Sequence, residues 1–256
     1  MGNAGRLLVV DWDYFFPNPA MMHEVTDVTA MYDWGQREAL FLIHEIWQSR
    51  ATTFWAHDLE LPLCRGYEGF WDRFDLSQAG LMLTCDSNSV AGAVPPSLTG
   101  LEAEGWDEVW LFDAHHDCGY SEAQAQMFGA GQYDCGMWMM VHQQRGSRLH
   151  VRYPQWRASA DGSTFEDVES PPLVEVDRQL DDGQVFDQPW DAVVVCRSGA
   201  WVPSWCDHQF DEFIEAAPLS ALWVDSNVEP GPRVQPDRAA ARREINNIQR
   251  LIQGLA

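Results

Sequence analysis

Two short stretches each place several potential metal ligands directly after an apolar run. Asp113, His115 and Asp117 stand at alternate positions in the stretch WLFDAHHDCGY, and Asp11 and Asp13 end the stretch LLVVDWD. Carboxylate and imidazole groups together suit divalent cations such as Mn²⁺. Alternatively, Asp113 and Asp117 could cap a following helix and bind no metal. The alternate spacing favours a metal site, provided that the fold brings the two stretches together.

The apolar pattern predicts an α/β fold. Five short runs are continuously apolar, as expected of strands that are buried on both faces of a parallel sheet. These strands are predicted at residues 6–11, 81–85, 108–113, 192–196 and 221–225. Helices are predicted at residues 35–50, after Asp134, at residues 207–217 and from about Asp237, as the N-cap, to Gln253. The alternation of strands and helices predicts a three-layer α/β/α arrangement with a mainly parallel sheet.

The domain organisation follows from length and composition. The chain has 256 residues, and no Pro/Gly/Ser-rich linker or charge block divides it, so residues 1–256 are expected to form a single domain. Residues 148–180 differ from the rest, because apolar and polar residues alternate there around a Gly/Ser/Asp-rich turn. We expect this segment to form a strand-rich excursion from the main sheet.

The charge of the chain excludes several classes of partner. The formal net charge is -23, and all 16 basic residues are Arg. Such a surface repels nucleic acids and anionic membranes and attracts cationic partners.

The sequence also bears on the location of the protein. No apolar stretch reaches the ~20 residues of a membrane span, and the N-terminal apolar run is too short for a signal peptide. The six cysteines lie far apart without a C-x-x-C pair, as expected of reduced, buried thiols. A cytoplasmic location is therefore predicted.

The potential ligands are expected to meet at one edge of the sheet, because ligands of open α/β sheets bind beyond the carboxyl ends of the strands. Polar residues follow all five predicted strands, at 11–13, 86–89, 113–117, 197–198 and 225–227. Carboxylates gathered in this way raise one another's pKa unless cations neutralise them. Hard divalent metals would meet that requirement.

The same residues carry a resemblance to a known family. The sequence D-A-H-x-D at residues 113–117 resembles the metal-binding signature of the ureohydrolases, which include arginase, agmatinase and formiminoglutamase. VVDWDYFFP at residues 9–17 is similar to the second signature of that family, S-x-D-x-D-x-x-D-P. In arginase the second signature follows the first, whereas here it precedes it. This order resembles an arginase-like branch that includes peptide arginases, which convert arginine in a ribosomal peptide to ornithine, and it implies an arginase-like fold with rearranged motif order.

The resemblance implies a set of metal ligands. Two divalent ions, usually Mn²⁺, would be bridged by Asp113 and Asp11. Asp117 would complete the coordination of one ion, while His115 and Asp13 would complete that of the other.

One ligand of the family is replaced in this chain. Ureohydrolases supply a further His from a G-G-D-H-S-type turn, and the matching stretch here is TCDSNSVAG at residues 84–92. Asn88 stands where that His is expected, and Asp86 is the alternative ligand.

The resemblance also implies a reaction. A hydroxide that bridges the two metals would attack the guanidinium carbon, and the tetrahedral intermediate would collapse to urea and an amine. Asp117 would relay the proton to the leaving amine. Glu229, after the last predicted strand, would bind the guanidinium. The substrate is then an arginine-containing peptide or a small guanidino compound, and the sequence does not indicate the oligomeric state.

Two other functions compete with this interpretation. LLVVDWDYF also resembles the haloacid-dehalogenase-type phosphatases, in which Asp11 would be the nucleophile and Asp13 the general acid. That family normally needs a downstream Lys, occasionally an Arg, and this chain has no Lys. A degenerate, non-catalytic metal-binding or peptide-binding protein is the third possibility, and Asn88 motivates it. Trp201 and Trp205, at the same predicted edge, either pack in the core or shape a peptide groove.

Overall fold

The structure is a computed structural model that describes residues 2, 4–17, 40–158, 171–224 and 233–254. Within these residues, seven strands form one sheet in the order β6-β5-β4-β1-β8-β3-β9, and every pair is parallel. The strands are β1 (Arg6–Asp11), β3 (Leu81–Cys85), β4 (Glu108–Phe112), β5 (Arg148–Tyr153), β6 (Asp177–Leu180), β8 (Ala192–Cys196) and β9 (Leu222–Trp223). A separate parallel pair is formed by β2 (Phe74–Asp75) and β7 (Phe186–Pro189).

Both faces of the central sheet are buried. Leu8 and Val10 of β1 lie in one apolar core, and Leu7 and Val9 lie in another, as the alternation of side chains along a strand requires. The helices are α1 (Leu40–Ala56), α2 (Ser89–Gly92), α3 (Glu122–Gly129), α4 (Met139–Gln144), α5 (Asp207–Glu215) and α6 (Arg238–Gly254). Residues of α1 and α5 contribute to the first core, and residues of α2 and α4 contribute to the second. This arrangement confirms the predicted α/β fold with a mainly parallel sheet.

The five predicted strands agree closely with the observed ones. The strands predicted at 6–11, 81–85 and 192–196 have those bounds, and β4 ends one residue before the predicted end. Of the strand predicted at 221–225, residues 222–223 are extended, and residue 225 lies outside the described residues. Asp237 caps α6, because its Oδ1 accepts hydrogen bonds from the amides of Ala239 and Ala240 at 2.8 and 3.0 Å. Among the described residues, no helix is both long enough and apolar enough to cross a membrane.

The prediction for residues 148–180 is wrong in one respect, because its strands do not leave the main sheet. β5 pairs with β4, and β6 pairs with β5 at the edge. Leu149, Val151 and Tyr153 are buried in the second core, while Arg148 is exposed. The alternating pattern is therefore that of a strand near the edge of the sheet. Residues 159–170 lie outside the described residues.

Asp181 connects the end of β6 to the turn that follows β1. Arg73 donates two hydrogen bonds to its carboxylate, at 2.7 and 2.6 Å, and the hydroxyl of Tyr14 donates a third at 2.5 Å. Burial alone would raise the pKa of Asp181. The hydrogen bonds from Arg73 and Tyr14 outweigh burial, so the pKa lies below its ordinary value.

We expect Asp181→Asn to lower the free energy of unfolding by about 2 kcal/mol at neutral pH, since hydrogen bonds to a charged group are lost. A depressed folded-state pKa contributes stability above the unfolded-state pKa of about 3.9, and this contribution is lost as the pH falls through the folded-state value. Urea unfolding of both proteins, in a series from about pH 7 to about pH 3, should therefore show the difference shrinking in acid. An unchanged difference across the series would contradict the assigned role of the carboxylate.

Candidate metal centre

The carboxyl ends of three strands bring the predicted ligands together. Val10 of β1 is paired with Phe112 of β4, so the acids that follow these two strands leave the sheet at the same edge. Asn88 reaches the same place from the end of β3. The side chains that meet there are those of Asp11, Asp13, Asn88, Asp113, His115 and Asp117.

Asp13, Asp113 and His115 form the first group of potential ligands. One ligand atom from each lies within 4.8 Å of the others. Nδ1 of His115 is 2.9 Å from Oδ2 of Asp13 and 3.4 Å from Oδ1 of Asp113. Backbone amides fix the carboxylates, because the amide of Ala114 donates to Oδ1 of Asp13 at 3.1 Å and that of His115 donates to Oδ1 of Asp113 at 2.7 Å. These three residues could hold a metal ion.

Asn88 is the centre of a second group. Its Nδ2 donates to Oδ2 of Asp11 at 2.6 Å, to Oδ2 of Asp113 at 3.2 Å and to Oδ2 of Asp117 at 3.1 Å. Three carboxylate oxygens thus converge on one amide nitrogen, which has only two hydrogens to share among them. The Oδ1 atom of Asn88 is buried and has no hydrogen bond within the described residues. A rotation of the amide by about 180° would turn that oxygen toward the carboxylates, where it could bind a cation.

Asp113 belongs to both groups. Its Oδ1 faces His115, while its Oδ2 faces Asn88. A carboxylate between two groups of ligand atoms is suited to bridge two cations. The donors fit Mn²⁺ and similar divalent ions, since they comprise carboxylate oxygens, one imidazole and one amide oxygen.

The electrostatics of the cluster favour cation binding. Burial raises the pKa of Asp113, and the charges of Asp13, Asp11 and Asp117 raise it further. Burial and the charge of Asp13 raise the pKa of Asp11 in the same way. Burial also opposes the ionisation of Asp13, but the charge of His115 outweighs it and lowers the pKa of Asp13. Two acids of the cluster therefore resist ionisation, and a bound cation would relieve that cost.

The alternative ligand, Asp86, is engaged elsewhere. Arg197 donates to both of its oxygens at 2.7 Å, and both side chains are buried. Nη1 of Arg197 also lies 3.9 Å from Oδ2 of Asp207, whose carboxylate in turn accepts hydrogen bonds from Arg233. In the loop after β3, Asn88 therefore contacts the cluster of acids, whereas Asp86 is bound to Arg197.

Three further residues bear on the candidate site. His116 is fully buried, accepts the amide of Cys118 at 3.0 Å and stacks on Tyr120, so it has a structural role. Trp205 is a core residue whose Nε1 donates to the carbonyl of Pro62 at 2.7 Å. Glu229 lies in residues 225–232, outside the described residues, so its proposed contact with the guanidinium stays a prediction.

Residue-by-residue reasoning missed two side chains that position Asp117. Nε1 of Trp138 donates to Oδ2 of Asp117 at 2.7 Å. The hydroxyl of Tyr120 accepts the amides of His116 and Asp117 at 3.2 and 3.1 Å and so supports the loop, in which Asp117 has a φ of 48°. The spacing of the potential ligands does not point to Trp138 or Tyr120, because both act through Asp117 and neither is itself a typical metal ligand.

Comparison with known proteins leaves the family open. No protein-family model matches the sequence, and neither a curated protein nor a solved structure matches the chain. The ureohydrolase resemblance therefore stays a prediction that rests on the two signatures.

Proposed function

We propose that the chain is a metal-dependent hydrolase of guanidino groups, which converts peptidyl arginine to ornithine and releases urea. The observation that carries the proposal is the position of Asp113, whose two oxygens face His115 and Asn88 in two adjoining groups of buried ligand atoms. The D-A-H-x-D resemblance supplies the substrate class and the expected metal, Mn²⁺.

The two groups would hold one divalent ion each. Asp13, Asp113 and His115 would bind the first, and the second would be bound by Asp11, Asp113, Asp117 and the carbonyl oxygen of Asn88. Bound divalent cations lower the pKa of water and so supply a nucleophile near neutral pH.

The residues of the chain would orient the reactants and move the proton. Hydrolysis adds water across the bond between the guanidinium carbon and Nε of the arginine side chain, so the oxygen goes to carbon and one proton goes to the leaving nitrogen. Asp117 is the group that we assign to carry this proton, with its carboxylate oriented by Trp138. The burial of the acidic cluster strengthens its attraction for the cationic substrate.

The phosphatase alternative gains no support from Arg197. Arg197 follows β8, the neighbour of β1, but Asp86 already binds its guanidinium through two hydrogen bonds. It is therefore poorly placed to stabilise a phosphorylated Asp11.

The test begins with protein that has been treated with a chelator and reloaded with Mn²⁺. We expect close to two metal ions per chain by elemental analysis, and urea release from an arginine-containing peptide in preference to free arginine. The Asp11→Asn/Asp113→Asn double variant should lose both properties. Unchanged metal content and activity in the double variant would refute the proposal. Bound metal without urea from either substrate would favour a non-catalytic binding protein, whereas phosphate release from an aryl phosphate would favour the phosphatase.

A further inference from the structure

Among the candidate ligands, His115 is the one whose side chain is partly exposed to solvent. The four carboxylates are at most 6% exposed, whereas the side chain of His115 is 18% exposed. The ring of Trp201 lies 6.0 Å from that of His115, measured between centroids, and Trp201 is also partly exposed. A substrate that approaches past His115 therefore meets Trp201.

The exposure of Trp201 is unusual for its place in the chain. Within residues 192–207, which include β8 and the loop after it, every other residue is buried. Trp205, four residues further on, packs in the core. Trp201 is thus the one aromatic side chain of this loop that reaches the surface, and it does so beside the cluster.

The backbone on both sides of Trp201 is fixed by hydrogen bonds. The carbonyl of Gly199 accepts from Nε1 of Trp47 at 3.0 Å and from Nη1 of Arg233 at 2.7 Å. The same Nη1 donates to the carbonyl of Val202 at 2.8 Å. A Cβ atom at position 199 would lie 3.2 Å from Nη1 of Arg233, so the close approach favours glycine there. The indole ring is therefore carried by a rigid support, as a preorganised binding surface requires.

We propose that Trp201 is a specificity-determining residue that packs against the guanidinium group of the substrate next to the candidate metal centre. The proposal rests on the proposed function and adds the group that selects a planar organic cation. An indole attracts a guanidinium through its π face, and a planar guanidinium also stacks on it. The ring carries no charge, so it does not compete with the carboxylates for metal ions. A neutral ureido side chain, as in citrulline, would gain less from the same ring.

Binding is the primary test, and it is measured without turnover. The protein from which the metal has been removed with a chelator, and which therefore does not hydrolyse the peptide under the proposed function, is titrated calorimetrically with a short arginine-containing peptide and with its citrulline counterpart. We expect Trp201→Leu, which keeps apolar bulk but removes the π face, to weaken arginine-peptide binding by about five- to thirty-fold. Trp201→Phe should weaken it by less, and both variants should keep the metal content of the wild type. In kinetic measurements of urea release, Trp201→Leu should raise KM more than it lowers kcat.

Trp55 offers a matched control. It is partly buried on α1, and the guanidinium of Arg238 lies 5.6 Å from its ring centroid, so Trp55→Leu also removes an aromatic partner of an arginine. This variant should bind the peptide as the wild type does.

The outcomes separate the two proposals. Equal binding of the arginine peptide by wild type and Trp201→Leu, or no binding by the wild type, would overturn the role of Trp201. Binding that weakens in Trp201→Leu, with no urea released by the wild type, would support that role and contradict the proposed hydrolysis. If Trp201→Leu does not fold, Trp201→Phe carries the test, with an intermediate loss expected and no loss counting against the role.

Discussion

Asp113→Asn should weaken Mn²⁺ binding by at least about a hundredfold. Asp113 is the residue shared by both groups of ligand atoms, and an amide in its place offers one neutral oxygen instead of two charged ones. Changes to groups that only support metal ligands already cost about 10- to 100-fold in affinity, so the loss of a shared ligand should cost no less. Calorimetric titration with Mn²⁺ after chelation measures the effect.

The same variant should have opposite effects on stability with and without metal. In the presence of a chelator, Asp113→Asn should unfold at a higher temperature than the wild type, because burial and three neighbouring acids make the ionised Asp113 unfavourable. At a Mn²⁺ concentration about 100 times Kd, the wild type gains about 2.7 kcal/mol and the variant gains little.

Asp107→Asn is the control for this experiment. Asp107 is exposed and precedes the amino end of β4, whereas Asp113 follows its carboxyl end. It should respond to Mn²⁺ as the wild type does. A variant at Asp113 that is less stable in chelator, yet still stabilised by Mn²⁺ to the wild-type extent, would show that this carboxylate is structural.

Arg197→Ala should lower the free energy of unfolding by about 3–5 kcal/mol. The guanidinium forms two 2.7 Å hydrogen bonds with Asp86 and lies near Asp207, and all three side chains are buried. Removal of one partner leaves a buried charge without compensation, which is among the most destabilising changes known. The contact of the guanidinium with the ring of Trp223, 4.7 Å from its centroid, is lost as well.

Arg148→Ala is the matched control for the buried pair. Arg148 is bound to Glu108 at 2.7 Å, but its side chain is 68% exposed. Exposed ion pairs contribute at most about 1 kcal/mol, so this variant should unfold almost as the wild type does. Urea unfolding of all three proteins gives the comparison, and equal losses in the two variants would contradict the importance of burial.

The sequence predicts the strands in which every residue is buried. Every residue of β8 is buried, so a continuous apolar run identifies it. The sequence of β6 is DRQL, which has no such pattern, and it joins the sheet through backbone hydrogen bonds to β5 that its side chains do not specify. β5 also lacks a continuous apolar run, because buried and more exposed residues alternate in its first half. Its sequence therefore suggested a separate excursion instead of a place in the main sheet.

The sequence predicted which end of the sheet carries the candidate ligands, but it did not decide between Asp86 and Asn88. Asp11 and Asp113 follow neighbouring parallel strands, and this alone places them at one edge. The choice between Asp86 and Asn88 was not accessible, because both follow β3 and the deciding partner, Arg197, is 111 residues from Asp86 in the chain. Contacts at such separations depend on the packing of the whole sheet.

The position of β1 in the centre of the sheet has a consequence for biosynthesis. β1 precedes both of its neighbours in the sheet, β4 and β8, in the chain. At about 5–20 residues per second, the interval between synthesis of β1 and of β8 is roughly 10 to 40 s. Until β8 has been made, the apolar residues of β1 lack at least one of their two hydrogen-bonding partners, and such nonlocal pairing is slow even in the complete chain. We therefore expect the β1 segment to stay accessible to chaperones and to other nascent chains until residue 196 has been added.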